Sequence, residues 1–333
     1  MTSLVIQTAF LGDVVLTTPL VEALARRHGP VDLVSTPAAA SLVETHPAVR
    51  RVIRYDKRGT DRGVSGLLAL GRRLREEHYE SAYLPHRSLR SAALAIVAHI
   101  PRRVGFHDGW PRLYTEVRQR PAGGHEIDRL LALLEAPPGM PRPRLSATAH
   151  DDRVAVAVLA DVGLPVVALA PGSIWGSKRW PYYKELAARL VERVGVVVVG
   201  GAEDAALGEE ITAAAGRTGG RAVNACGRLT LRQAAALIAR VRLLVTNDSA
   251  PLHLASAMGT PVVAIFGPTI TEFGFGPIGA GDVALGVEGL PCRPCAHHGP
   301  RACPLGHHRC MRDLSVQHVL AAIEETGALH RRD

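Results

Sequence analysis

The chain has 333 residues, of which 47% are hydrophobic, 21% charged and only 4% aromatic, and its 39 Lys and Arg against 31 Asp and Glu leave a net charge of +8. That length suits two domains, and the composition is that of a globular α/β protein, which excludes a disordered or fibrous chain. No apolar run reaches the roughly 18 residues of a membrane span, and the N-terminus passes from Met1 to a strand-like LVIQ without a basic leader, so the reading is cytoplasmic.

The excess positive charge is mostly Arg and is scattered, with no basic tail and few aromatics among the arginines to stack on bases. Nucleic acid is therefore set aside as a partner. A phosphorylated glycolipid or sugar nucleotide suits a planar guanidinium fork, and the same charge allows peripheral contact with an anionic inner membrane surface.

In chain order, Leu4 to Thr8 reads as a strand and residues 9–13 as a turn. An apolar helix follows from Val14 to about His28, interrupted by Pro19, and Val31 to Ser35 reads as the second strand. Leu42 to Val49 reads as a weaker helix, Val52 to Tyr55 as a strand, Leu67 to Glu77 as a striped helix and Ser81 to Leu84 as a strand. An Ala-rich helix from Ser91 to about His99, a short strand at Val104 to Phe106, an irregular Arg-rich region from Trp110 to Gly124 and a helix from Asp128 to Leu134 complete the first half. The proline-rich PPGMPRPRLS and the short helix 151–160 form the expected linker, giving domains 1–160 and 161–333. The second half repeats the alternation: strands at Val166 to Ala170 and Val196 to Gly200, a short strand ending in Asn224 to Gly227, and two strand ends in 243–266. Helices are expected at 183–194, after GGAEDAALGE, at 231–238, at 252–258 and at 316–326, the last of which can pack back on the N-terminal domain.

Two similar α/β halves place candidate ligand groups just past strand ends, where open parallel sheets bind. In the second half Asn247, Asp248 and Ser249 follow one strand and Gly267, Pro268 and Thr269 the next. The loop from Pro171 to Pro181 combines a flexible Gly172 with Ser173, Ser177 and Lys178, a phosphate-binding set without the Walker pattern; a solvated loop is the other reading. Gly200, Gly201, Glu203 and Asp204 follow a valine strand, where a carboxylate can accept from a ribose or simply open a helix. Asp13, behind Gly12 at the first strand end, is the candidate proton acceptor, with helix capping as the alternative. Cys292, Cys295, Cys303 and Cys310 are a candidate structural zinc site, with His297, His298, His307 and His308 as substitute ligands, or else reduced thiols or a labile disulfide.

Together QTAFLGDVVLTTPLVEAL, LAPGSIWGSKRWP, VVVVGGAEDAALGEEI, NACGRLTLRQAAALI, TNDSAPLHLASAMGTPVVAIFGPT and CPLGHHRCM cover both halves in one order. In that combination the chain resembles the ADP-heptose:lipopolysaccharide heptosyltransferases of glycosyltransferase family 9, most nearly the heptosyltransferase II type. The resemblance implies a GT-B fold of two Rossmann-like domains with parallel sheets facing across a cleft. The N-terminal domain would take a phosphorylated lipopolysaccharide inner-core acceptor and the C-terminal one ADP-heptose or a related nucleotide sugar, with inverting transfer and no catalytic metal. By position, Asp13 is then the general base, and Lys178 with Ser173 neutralises the leaving diphosphate. Asp248, Ser249, Ala250 and His253 contact the donor's sugar and phosphates, with Glu203, Thr230 and Leu231 near ribose and adenine and Gly172 and Gly201 in the donor loops. Gly12, Arg58, Arg62, Arg87, Arg90 and Arg118 are the expected acceptor contacts, the arginines on charge alone. A family member with another nucleotide sugar or acceptor, a GT-B sugar-nucleotide epimerase and a catalytically silent sugar-nucleotide or glycolipid binder are the competing readings.

Overall fold

The computed structural model describes residues 2–139, 141–163 and 165–329. Met140 of the proline-rich stretch and the two chain ends of the expected domains therefore lie outside the described residues. The chain divides into two compact units between Ser146 and Ala147.

In the first unit the order is β1 (Ser3–Ile6), α1 (Leu11–Leu16), α2 (Thr18–His28), β2 (Val31–Ser35), α3 (Pro37–Val43), β3 (Val49–Arg54), α4 (Gly63–Glu76), β4 (Ser81–Leu84), α5 (Leu89–Val97), β5 (Arg102–Phe106), β6 (Glu116–Arg118) and α6 (Glu126–Leu131). The expected single helix after β1 is two. Leu11 to Asp13, expected as turn, already form the first turn of α1, and Pro19 sits in the first turn of α2, where its missing N–H costs nothing. The third helix begins at Pro37 instead of Leu42 for the same reason. The strands pair in parallel in the order β3-β2-β1-β4-β5-β6. β1, β2 and β4 are buried throughout, as parallel strands covered on both faces must be.

The second unit runs α7 (Ala149–Ala160), β7 (Val166–Ala170), α8 (Tyr183–Leu190), β8 (Gly195–Val198), α9 (Ala205–Gly216), β9 (Ala222–Asn224), α10 (Leu231–Ile238), β10 (Leu243–Asn247), α11 (Ala250–Met258), β11 (Val262–Ile265), β12 (Val283–Leu285), α12 (Arg309–Arg312) and α13 (Val316–Glu325). Its strands pair in parallel as β12-β11-β10-β7-β8-β9, the first unit's order again with β7 in the place of β1. Both are the Rossmann order, so each unit has one switch point, between β1 and β4 and between β7 and β10.

The expected domain boundary is corrected. Helix α7, read as linker, packs on α10 and is pinned there by Arg232, whose Nε donates to Asp151 over 2.6 Å, so the boundary moves from 160/161 to 146/147. Helix α13 packs against α8, β11 and β12 and buries Val319, Ala322 and Ile323 in the second unit's core. Among the described residues no helix is long and apolar enough to cross a membrane.

Candidate active site

In the first unit the switch point is built around the turn from β1 into α1. Gln7 spans it: its amide donates to Thr17 Oγ1 (3.1 Å) and its carbonyl oxygen accepts from Ala9 N (3.2 Å), while Thr17 Oγ1 donates back to the Asp13 carbonyl (2.6 Å). Asp13 occupies the third position of α1, where one carboxylate oxygen accepts from the Phe10 N–H at 3.0 Å. The capping alternative is thus realised in part, and it uses one oxygen. Burial pushes the Asp13 carboxyl up to about 6, with the negative charge of Glu126 adding to the effect and the Phe10 N–H and Arg120 opposing it. A carboxylate held in that range is a competent base near neutral pH.

Four groups outside the expected site residues lie in this unit near the strand ends, and two of them, Arg120 and Glu126, act on the Asp13 carboxyl. Lys57 Nζ donates to the Thr8 carbonyl at 2.6 Å, just past β1. His86, just past β4, has its Nε2 3.4 Å from Thr8 Oγ1 and 3.3 Å from Ser91 Oγ. Burial, reinforced by Lys57, lowers the imidazole to about 4, so it is neutral. Arg120 reaches both oxygens of buried Glu126 at 2.6 Å and lies over the Phe106 ring. Glu126 lies in the first turn of α6, which begins two residues before the helix expected from Asp128.

The expected acceptor arginines separate into two sets. Arg58, Arg62 and Arg87 are exposed in the connections after β3 and β4, Arg87 within 3.5 Å of Asp108. Arg90 and Arg118 are engaged inside the unit: Arg90 donates to Tyr55 Oη (3.0 Å) and the Gly63 carbonyl (3.3 Å), and Arg118 pairs with Glu116 (2.6 Å) and Glu135 (3.5 Å). Gly12 is buried in the first turn of α1.

In the second unit the loop after β7 and the turn after β10 meet. Lys178, on a single 3-10 turn, donates from Nζ to Asp248 Oδ2 at 2.6 Å, and Thr269 Oγ1 donates to the same oxygen at 2.6 Å. Both Lys178 and Asp248 are buried, so a cation is stored beside the strand ends with its counter-ion already supplied. Neighbouring Asn247 locks the two loops: its amide donates to the Pro171 carbonyl (2.8 Å), and its oxygen accepts from Trp180 N and Tyr183 Oη (both 3.2 Å). Ser249 is the N-cap of α11 without using its hydroxyl as a cap, Ala250 opens the helix, and His253 is buried one turn on, edge-on to Phe275. Ser173 Oγ accepts from Trp175 N at 3.1 Å.

The ambiguous carboxylate pair is resolved. Asp204 is buried and accepts from Gly201 N (3.1 Å), whereas Glu203 is exposed. Burial raises the Asp204 carboxyl, with Gly201 N–H and Arg179 working against it. Gly172 is required for packing, since a Cβ there would run into the Asp204 carboxylate. Thr230 and Gln233 close a reciprocal capping box at the start of α10, so Thr230 and Leu231 open a helix beside this region.

The four cysteines of the expected zinc site share one segment, near enough that Cys292, Cys295 and Cys303 act electrostatically on Cys310. Among the described residues no three His, Cys, Asp or Glu side chains lie close enough together to hold a metal ion. Cys310 is buried in the core, Cys292 Sγ lies 3.9 Å from His307 Nε2, Cys295 donates to the Cys292 carbonyl, and Cys303 accepts from His308 N. The segment is fastened instead through Arg293, which donates to the carbonyls of Gly267 (2.7 Å), Val287 (2.8 Å), Phe266 (3.0 Å) and Thr269 (3.2 Å). Cys295 N reaches the Pro268 carbonyl at 2.9 Å, His308 Nε2 the Ser177 carbonyl at 2.7 Å, and Ser177 Oγ the Pro300 carbonyl. It therefore walls the Lys178 loop.

Comparison with known proteins identifies the family and supports the fold. Residues 67–305 match the model of glycosyltransferase family 9 (heptosyltransferase). Lipopolysaccharide heptosyltransferase 2 of Escherichia coli K12 is 30% identical over 293 residues, 81% of this chain and 84% of that protein. The structure of E. coli ADP-heptose LPS heptosyltransferase II superposes with a TM-score of 0.81 at 26% identity, covering 99% of this chain and 98% of that one. E. coli heptosyltransferase WaaC with ADP-2-deoxy-2-fluoro heptose shares the fold at 18% identity, with a TM-score of 0.72 over 98% of this chain and 99% of that one. With two Rossmann-like units of the GT-B kind, and a family match over most of its length, the chain belongs to glycosyltransferase family 9, the heptosyltransferases, and is a glycosyltransferase.

Proposed function

We propose that the chain transfers a heptose from ADP-heptose to a phosphorylated lipopolysaccharide inner-core acceptor, with inversion at the anomeric carbon and without a catalytic metal. Asp13 takes the proton of the acceptor hydroxyl as that oxygen bonds to the anomeric carbon. The bond from the anomeric carbon to the diphosphate breaks on the opposite face, and ADP leaves with the electron pair. Lys178 and the N-terminus of α11 oppose the charge that develops on the diphosphate, a role in which preorganised donors are worth several kcal/mol. In the ligand-free chain Asp248 and Thr269 hold Lys178 in place. Glu203 is left free to meet the ribose. The donor assignment draws on the ADP-heptose analogue bound by WaaC, and the acceptor on the names of the relatives.

The observation that carries this reading is Asp13: a carboxylate at the switch point, one oxygen tied and its carboxyl raised to about 6. Incubated with ADP-heptose and a heptosylated core acceptor, the purified protein is expected to release ADP, and Asp13→Asn to do so at least ~100-fold more slowly while still binding the donor. Full turnover by that variant removes Asp13 as the base. A different nucleotide sugar raising the melting temperature more than ADP-heptose would reassign the donor.

A further inference from the structure

On the flank of the first sheet lies a cavity outside the site described above. Strand β3 is an outer strand of that sheet, and α4 runs beside it. Gly71 has no side chain, so α4 closes directly on α5; a Cβ at Gly71 would stand 2.4 Å from Val97 Cγ1. The helix leans on α5, and a cleft of about 330 Å³ stays open between its second half and β3. That volume is at the lower end of the roughly 300–1,000 Å³ of small-molecule sites. Neither Asp13 nor any of the expected acceptor contacts lines it.

Its floor is apolar, made by Ile53 of β3 with Leu70 and Leu74 of α4, all buried. Its rim holds three guanidiniums, Arg51, Arg54 and Arg73, and one carboxylate, Glu77. Arg51 is fixed in place: it donates to Glu77 (2.9 Å), to Tyr79 Oη (3.1 Å) and to buried Asp32 (3.0 Å). Arg54 pairs with Glu44. The one carboxylate on the rim is thus taken by Arg51. Arg73 is exposed and has no hydrogen bond or ion pair with any described residue. An uncompensated positive charge therefore stands over an apolar floor.

We propose that this cleft binds a small amphipathic anion, an acyl or alkyl body of moderate length that ends in one carboxylate or phosphate. The floor takes the apolar body and Arg73 the headgroup, while Arg51, held by Glu77, adds to the field. A protein strand is a poorer occupant, although β3 has a free edge. Arg50, Arg51 and Arg54 stand exposed on this strand, and its pairing with β2 is irregular between Val31 and Asp32; both features guard an edge against another strand. A second copy of the chain would bring the same guanidiniums to the same edge, where they repel.

Calorimetric titration of the whole chain tests it with octyl phosphate and octanoate, both below their micelle concentrations, and with octanol and inorganic phosphate as the body and the charge alone. Both amphiphilic anions are expected to bind at one site per chain, the tighter of the two naming the headgroup, and octanol and phosphate to bind at least ~10-fold more weakly. Arg73→Gln is expected to weaken both anions about tenfold and to leave octanol unchanged. Val52→Phe, which fills the cleft from its rim, should weaken the anions and octanol alike. Both variants should keep the melting temperature and the transfer activity of the parent. No saturable binding of either amphiphile, or binding that neither variant weakens, overturns the proposal. So does displacement of the amphiphile by ADP, since the anion would then sit with the diphosphate groups around Lys178. Binding of a short acidic peptide in place of the amphiphiles overturns it too, and makes the edge of β3 a strand-docking site.

Discussion

Asp13 is held at a cost that fixes how the protein responds to pH. Its folded-state carboxyl lies near 6, above the ordinary value of 3.8, so the native chain binds a proton more tightly than the unfolded one. The stability associated with that proton is present below the unfolded value and is lost as pH rises through about 6. Asp13→Asn keeps an oxygen for the Phe10 N–H and removes the penalty. We expect it to be more stable than the parent by on the order of 1–2 kcal/mol at pH 8, a gain that shrinks between pH 6 and 4 in thermal melts. An unchanged gain across that window would mean that the carboxyl does not titrate there. In the parent, kcat/KM is expected to climb with unit slope to a plateau above pH of about 6, the signature of a base that must lose its proton. Lys178 belongs at the same scale. Lys178→Ala leaves Asp248 buried with only Thr269 as partner, so it should lower kcat by about 100-fold and also lower the melting temperature. K178A/D248N is expected to recover the melting temperature without recovering turnover; recovery of both would make the pair purely structural.

At the level of single elements, β2 carries a buried carboxylate that gathers donors from three residues. Asp32 accepts two bonds from Arg50 (2.8 Å each), one from Arg51 (3.0 Å) and one from Tyr79 Oη, tying β3 and Tyr79, two residues before β4, to β2. Burial alone would raise its carboxyl, but these donors outweigh it and the net shift is downward. The stability they contribute is therefore present above the unfolded pKa and is lost as acid protonates the group. Asp32→Ala should cost about 2–4 kcal/mol, toward the lower end because both guanidiniums can turn to water, and this is read from chemical denaturation. A loss within error of zero would show that the cluster contributes register alone. The same element scale shows what was legible beforehand. Central strands such as Val166 to Ala170 announce themselves as unbroken apolar runs because both faces are covered. β6 and β12 passed unseen because each is three residues long, on a sheet edge and half-exposed, so no apolar run marks it. Motif residues such as Lys178 and Asp248 were readable from their neighbours, but their ion pair spans 70 residues and Arg293 works only through carbonyls, which carry no side-chain signature.

For the whole molecule, the shifted boundary has a direct consequence. A fragment beginning at Ala147 retains α7 against α10, together with the Arg232–Asp151 bond and the 3.0 Å Arg240–Asp152 pair. One beginning at Asp161 exposes the face that Ala155 and Leu159 cover. We expect the longer fragment to melt cooperatively and to be stabilised by ADP, and the shorter one to be several degrees less stable or insoluble. Equal melting temperatures for the two would return α7 to the status of a linker.

The way Arg293 fastens the cysteine segment also makes that segment a chemical reporter. The guanidinium grips the Thr269 carbonyl while the Thr269 hydroxyl grips Asp248, so one residue joins the wall to the ion pair beneath it. Cys295, exposed and hydrogen-bonded through its N–H to Pro268, lies one residue beyond the cis Arg293–Pro294 bond on that wall. A nucleotide diphosphate that draws Lys178 away from Asp248 would be transmitted through Thr269 to this thiol. Its labelling rate by a thiol-reactive dye should then change on addition of ADP, whereas buried Cys226 stays unlabelled throughout.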